Sequence, residues 1–105
     1  MAQFTVYENP NPATSEQYPY LLDIQNDLLY TLRTCIVIPL SPQSLAAGMQ
    51  IGRLNPPLTI NGEKFILRTQ ELAGIDRHML GTEICNLAQH RADIIAAMDF
   101  ILSGI

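Results

Sequence analysis

Hydrophobic and polar positions alternate in short stretches over the first two thirds of the chain. Phe4 to Glu8 places Phe4 and Val6 at alternate positions with Tyr7 beside them, which predicts a strand. Asn9-Pro10-Asn11-Pro12 breaks it. Residues 9–17, which also hold Thr14 and Ser15, predict an exposed loop. Tyr18 to Ile24 predicts the next strand, with a turn at Asn26 and Asp27. Thr34 to Ile38 is a continuous β-branched and apolar run and predicts a buried central strand, closed by Pro39. Pro42, Gly48, Gly52, Pro56 and Pro57 leave room only for short structure across 41–57. Leu58 to Ile60, then Asn61-Gly62, then Lys64 to Leu67 predicts a hairpin. Asn-Gly suits a two-residue type I′ turn, whose central residues both need positive φ. Residues 69–80 fit a helix or an extended chain equally.

Residues 83–102 are different: alanine-rich, with no proline or glycine, they predict a long helix. Thr82 can cap its start, Glu83 sits in its first turn, and Gly104 can help end it. Steps of 100° put Leu87, Ile94, Ala97, Met98 and Ile101 on one face. Arg91 lies beside that face, and Ile95 and Leu102 form a second, partly exposed strip. A stripe so wide suits either deep burial or a partner surface. Strands first and one helix last predict a mainly β fold: a small, strongly bent antiparallel sheet or open barrel with the helix packed on it.

Composition narrows the picture. A chain of 105 residues predicts one domain over 1–105. Charged residues are 15% and hydrophobic residues 48%, which argues against disorder. It also suggests that some apolar surface is covered by a partner, most simply a second copy of the chain. The net charge is −4 and the isoelectric point about 4.9. The basic residues are scattered, so direct nucleic-acid binding is disfavoured. No apolar run approaches a membrane span. The start lacks a basic region followed by an apolar core, so no export signal is expected. Cys35 and Cys85 are then expected as reduced thiols in a bacterial cytoplasm.

Catalytic motifs are missing. There is no P-loop, G-x-S-x-G, H-E-x-x-H or Cys/His cluster, so neither metal nor cofactor is expected. His78 and His90 lie far apart without an obvious partner. Asp23 and Asp27 could form an acid/base pair, but turn chemistry explains them more simply. Cys35 reads as a small core hydrophobe. Cys85 falls in the first turn of the expected helix, where a thiol pKa can be lowered. The sequence finishes on Phe100-Ile101-Leu102-Ser103-Gly104-Ile105, an apolar stretch that is either docked or presented to a partner.

The runs Gln3-Phe4-x-Val6-Tyr7, Leu22-Asp23-Ile24-Gln25-Asn26-Asp27-Leu28-Leu29 and Val37-Ile38-Pro39-Leu40 follow one another in order. Leu87, Asp93-Ile94 and Gly104-Ile105 complete the series. Nearly end to end, the sequence resembles the CcdB family of toxins from bacterial toxin–antitoxin (plasmid addiction) modules. The resemblance implies an SH3-like open barrel with a C-terminal helix, assembled as a symmetric homodimer. It implies a toxin, not an enzyme, that binds between the A subunits of DNA gyrase and traps gyrase on cleaved DNA. A CcdA-type antitoxin would neutralise it through a segment that orders on binding. The family's gyrase contacts fall on Leu28, Leu29, Asp99, Leu102, Ser103, Gly104 and Ile105. Ser103 stands where the family has tryptophan, so a cation–π contact of about 0.5–2 kcal/mol is lost. Ile95, on the strip of Leu102, offers replacement apolar area. The loop 9–17 and the apolar strips are candidate surfaces for the antitoxin. Ribonuclease toxins of the MazF and Kid type share this fold, which leaves RNA cleavage as the alternative.

Overall fold

The computed structural model describes residues 3–25, 32–45 and 52–103. Seven strands are present among them: β1 (Thr5–Glu8), β2 (Tyr20–Asp23), β3 (Thr34–Pro42), β4 (Pro57–Ile60), β5 (Glu63–Leu67), β6 (Ala73–Asp76) and β7 (Glu83–Asn86). One α-helix, α1 (Arg91–Ser103), follows. The sheet order is β4-β5-β3-β2-β1-β7, with β6 beside β3, and every pairing is antiparallel. This is a mainly antiparallel half-barrel carrying a C-terminal helix, the fold class expected from the sequence. The expected turn at Asn26 and Asp27, the pair Leu28 and Leu29, and the terminal Gly104 and Ile105 lie outside the described residues.

Strand β3 organises the sheet. One edge pairs with β2, and the other takes β6 near its start and β5 near its end. Contrary to expectation, Pro39 does not close this strand, which runs on to Pro42. The Pro39 carbonyl accepts from the Arg68 N–H at 2.9 Å. Nitrogen and carbonyl of one strand residue share an edge, so the missing donor of Pro39 falls where β6 gives way to β5. No ladder bond is forfeited there.

Alternation sends Val6, Leu22, Ile38, Leu40, Leu58, Ile60, Phe65 and Leu67 into the main core, against Ile94 and Ala97 of α1. A smaller cluster of Leu21, Cys35 and Val37 is separate from it, with Ile75 and Leu80 packed alongside. The hairpin forms as predicted: Asn61 has φ 52° and Gly62 has φ 82° between β4 and β5.

The helix is shorter than the predicted 83–102: Glu83–Asn86 is a strand, Ala88–His90 is a single 3-10 turn, and the α-helix begins at Arg91. Cys85 pairs with Val6 of β1, so it does not sit in a helical turn. Thr82 caps no helix; its carbonyl accepts from Glu8 N–H at 2.9 Å. Gly81 makes this approach possible, since a Cβ there would lie 2.8 Å from the Glu8 carbonyl oxygen. Asn86 then bends the chain. Its Nδ2 donates to Gln3 O at 3.0 Å and its Oδ1 accepts from Ala88 N–H at 2.8 Å. Leu87 N–H donates to Phe4 O at 2.9 Å. Pairing with a strand some 80 residues upstream thus overrides the local helical preference.

Candidate functional site: the outer face of the terminal helix

Ile94 and Ala97, both fully buried, pin α1 to the sheet, and Met98 and Ile101 are half-buried beside them. Helical geometry then turns Ile95, Asp99, Leu102 and Ser103 to an adjoining stripe, at i, i+4, i+7 and i+8. Ile95 is half-buried against the core margin. Asp99 and Ser103 are exposed. Leu102 is 78% exposed, against 40–57% for the other exposed large apolar side chains among the described residues. The Ser103 hydroxyl donates to Phe100 O at 3.3 Å. The last turn of α1 holds no basic residue.

Asp99 and Ser103 also border an open cleft of about 380 Å³, with Ala96, Phe100 and Arg53. Arg53 escaped the sequence reading, because nothing in its Gly- and Pro-rich surroundings marks it. The turn Gly52–Leu54 that carries it is held from beneath. Asn55, fully buried, donates to Leu67 O at 2.8 Å and to Gln70 Oε1 at 2.6 Å. The Thr69 hydroxyl donates to Leu54 O.

A second surface lies across the sheet. The loop 9–17 is largely exposed, as expected, and braced by its own polar groups. Asn9 Nδ2 donates to Thr14 Oγ1 at 2.9 Å and to Tyr18 O at 2.8 Å. With Leu21, Val37, Pro39, Ile75 and Met79 it borders a groove of about 210 Å³.

The titratable candidates resolve as follows. Asp23 is buried, and its Oδ1 accepts from Gln25 N–H at 2.9 Å, which is turn chemistry. Its other oxygen lies 3.6 Å from a guanidinium nitrogen of Arg77. Burial, with the Asp23 and Glu83 carboxylates adding to it, pushes the Tyr7 hydroxyl up to about 12. Cys35 is buried and its thiol is raised, chiefly by desolvation. Cys85 is raised as well, by burial, opposite to the lowering a helix start would give. His78 does have a partner: its Nδ1 lies 2.5 Å from Asp76 Oδ1. Hydrogen bonding from the His78 backbone N–H is the first cause holding the Asp76 carboxyl below its usual value. Among the described residues no three metal-binding side chains converge, and no helix is long and apolar enough to cross a membrane.

The half-barrel, the terminal helix and the outward helix end define a fold of the CcdB type. The match to the family described as CcdB protein runs over residues 3–104, and the chain belongs to that family. It is accordingly a toxin of the toxin–antitoxin class.

Proposed function

We propose that this toxin acts on the A subunit dimer of DNA gyrase, trapping the cleaved gyrase–DNA complex, and that it does so as a homodimer of one domain per chain. The observation that carries this reading is Leu102. A large apolar side chain left 78% exposed on a well-anchored helix has no use within the protomer and suits a desolvated interface. Asp99, Ser103 and Ile95 share its stripe. Leu28, Leu29, Gly104 and Ile105 join the proposed contact from the family resemblance alone. A CcdA-type antitoxin is proposed to dock in the groove beside loop 9–17, where apolar floor and amide-rich rim suit an extended peptide.

Supercoiling and cleavage assays with purified gyrase test the reading. The expected result is inhibition and accumulation of cleaved DNA, reversed by antitoxin peptide. An RNA-cleavage assay run beside them is expected to show no activity, since the sequence offers no run of cations for a phosphate backbone. RNA degradation lost in Asp23→Asn would overturn the gyrase reading in favour of a ribonuclease.

A further inference from the structure

Strand β6 is bonded along one edge only: among the described residues it pairs with β3 and with no other strand. Ile36 O accepts from Ile24 N–H at 3.0 Å on the β2 side of β3, while Arg33 O accepts from Arg77 N–H at 2.7 Å on the β6 side. Alternation then turns the backbone groups of Cys35 and Val37 toward their partners Ile75 and Ala73. The N–H and C=O of Gly74 and Asp76 therefore point away from β3, and among the described residues no backbone group bonds them. Ala73 and Gly74 are exposed, and Ile75 and Asp76 are half-buried. Short as it is, this edge carries neither the lysine nor the proline that usually blunts one, and its register with β3 is unbroken.

Nothing inside the protomer calls for glycine at position 74. Its φ lies outside the left-handed region, and a Cβ there would meet nothing within 4 Å. Glycine in a strand gives up packing and often marks the close approach of another backbone. Its cross-strand neighbour Ile36 is 41% exposed. On the opposite face Ala73, Ile75 and the exposed Met79 line the groove of about 210 Å³. Glu71 stands exposed on the rim of that groove, with no ion pair among the described residues. An extended chain laid along β6 would exchange main-chain bonds with Gly74 and Asp76, and drop alternate side chains into the groove and over Ile36. We propose that the antitoxin is held by strand addition on the β6 edge, through a short segment of alternating apolar residues with a lysine or arginine beside Glu71. This deepens the antitoxin reading above and rests on it. A second copy fits the edge less well. Its own β6 offers to this face only Ala73 and Ile75, which already line its own groove, so neither groove would be filled.

The test uses the full toxin with its cognate CcdA-type antitoxin. Amide exchange at Gly74 and Asp76 is expected to slow at least tenfold in the complex, with Ile75, already bonded to β3, as the internal reference. Gly74→Pro removes an outward N–H and sets a ring on the edge without touching a bond to β3. Its affinity for the antitoxin is expected to fall at least tenfold at an unchanged urea midpoint. Glu71→Lys is expected to weaken binding at least threefold. Antitoxin binding with unchanged exchange at Gly74 and Asp76 overturns strand addition and leaves the antitoxin reading standing. So does full affinity in folded Gly74→Pro. Should that variant unfold, exchange on the wild-type complex decides alone. Protection of both amides in the free toxin, lost on dilution, would give the edge to a second copy and also overturns the proposal. A toxin that binds no antitoxin removes the antitoxin reading, and strand addition with it.

Discussion

The two buried clusters of this small protein are both apolar, but among the described residues only the smaller one has a buried carboxylate beside it. The main core, from Val6 and Leu22 through Ile94 and Ala97, packs apolar side chains, with neutral Asn55 bonding the Leu67 carbonyl at its margin. The smaller cluster of Leu21, Cys35 and Val37 lies where Tyr7, Asp23 and Arg77 bring charge and hydroxyl under cover. The first gains from every methylene buried and tolerates few gaps. The second costs desolvation, which a stability-maximising design would avoid. Its polar groups hold strand ends and connections in place. One cluster therefore supplies stability and the other geometry.

The largest test of that division is Ile38→Ala. A cavity in the apolar core is expected to lower the unfolding free energy by about 2–5 kcal/mol, read from the urea midpoint. Arg77→Met should cost about 2–3 kcal/mol, below the range for a fully enclosed pair because Arg77 keeps some water. Adding Asp23→Asn should recover much of that loss. A double variant no more stable than the single one would show that the pair is not coupled.

Tyr7 sharpens the comparison through pH. Its hydroxyl is raised in the folded protein to about 12, above the ordinary value near 10. The neutral form is the one the fold favours. Its contribution is complete below pH 10 and is lost as pH rises from 10 through 12. Tyr7→Phe should flatten the fall in stability over that window, followed by denaturant melts at fixed pH values. The smallest effect on folding belongs to the helix end. Leu102→Ser should move stability by no more than about 0.5 kcal/mol, while colony survival on induction rises sharply. A matching loss of stability would show that Leu102 is docked and not presented.

Local chemistry was legible in the sequence, and long-range chemistry was not. Asn61-Gly62 dictates its turn from two residues, and both adopt positive φ. The inward positions of α1, Ile94 and Ala97, followed from periodicity. Residues 83–90 misled because they lack breakers and run into an alanine-rich helix, whereas the deciding partner, β1, is at the other end of the sequence. Pro39 misled because its missing donor matters only if a neighbour faces it. For the site, periodicity gave the strip of Ile95 and Leu102, and family resemblance added Asp99 and Ser103. Arg53 and Arg77 were invisible, since each gains its place from a turn brought near by the fold.

Strand β1 lies between β2 and β7, and this sets a schedule for synthesis. Roughly 75 residues separate Glu8 from Glu83. At the usual pace of translation, on the order of 4–15 s pass between making one strand and its partner. Until then β1 has one free edge, and Leu87 has not yet reached Phe4. A ribosome stalled before β7 would carry an incomplete sheet without the helix that presents Leu102. The order of assembly therefore places the outward face of α1 after the strands whose core anchors it.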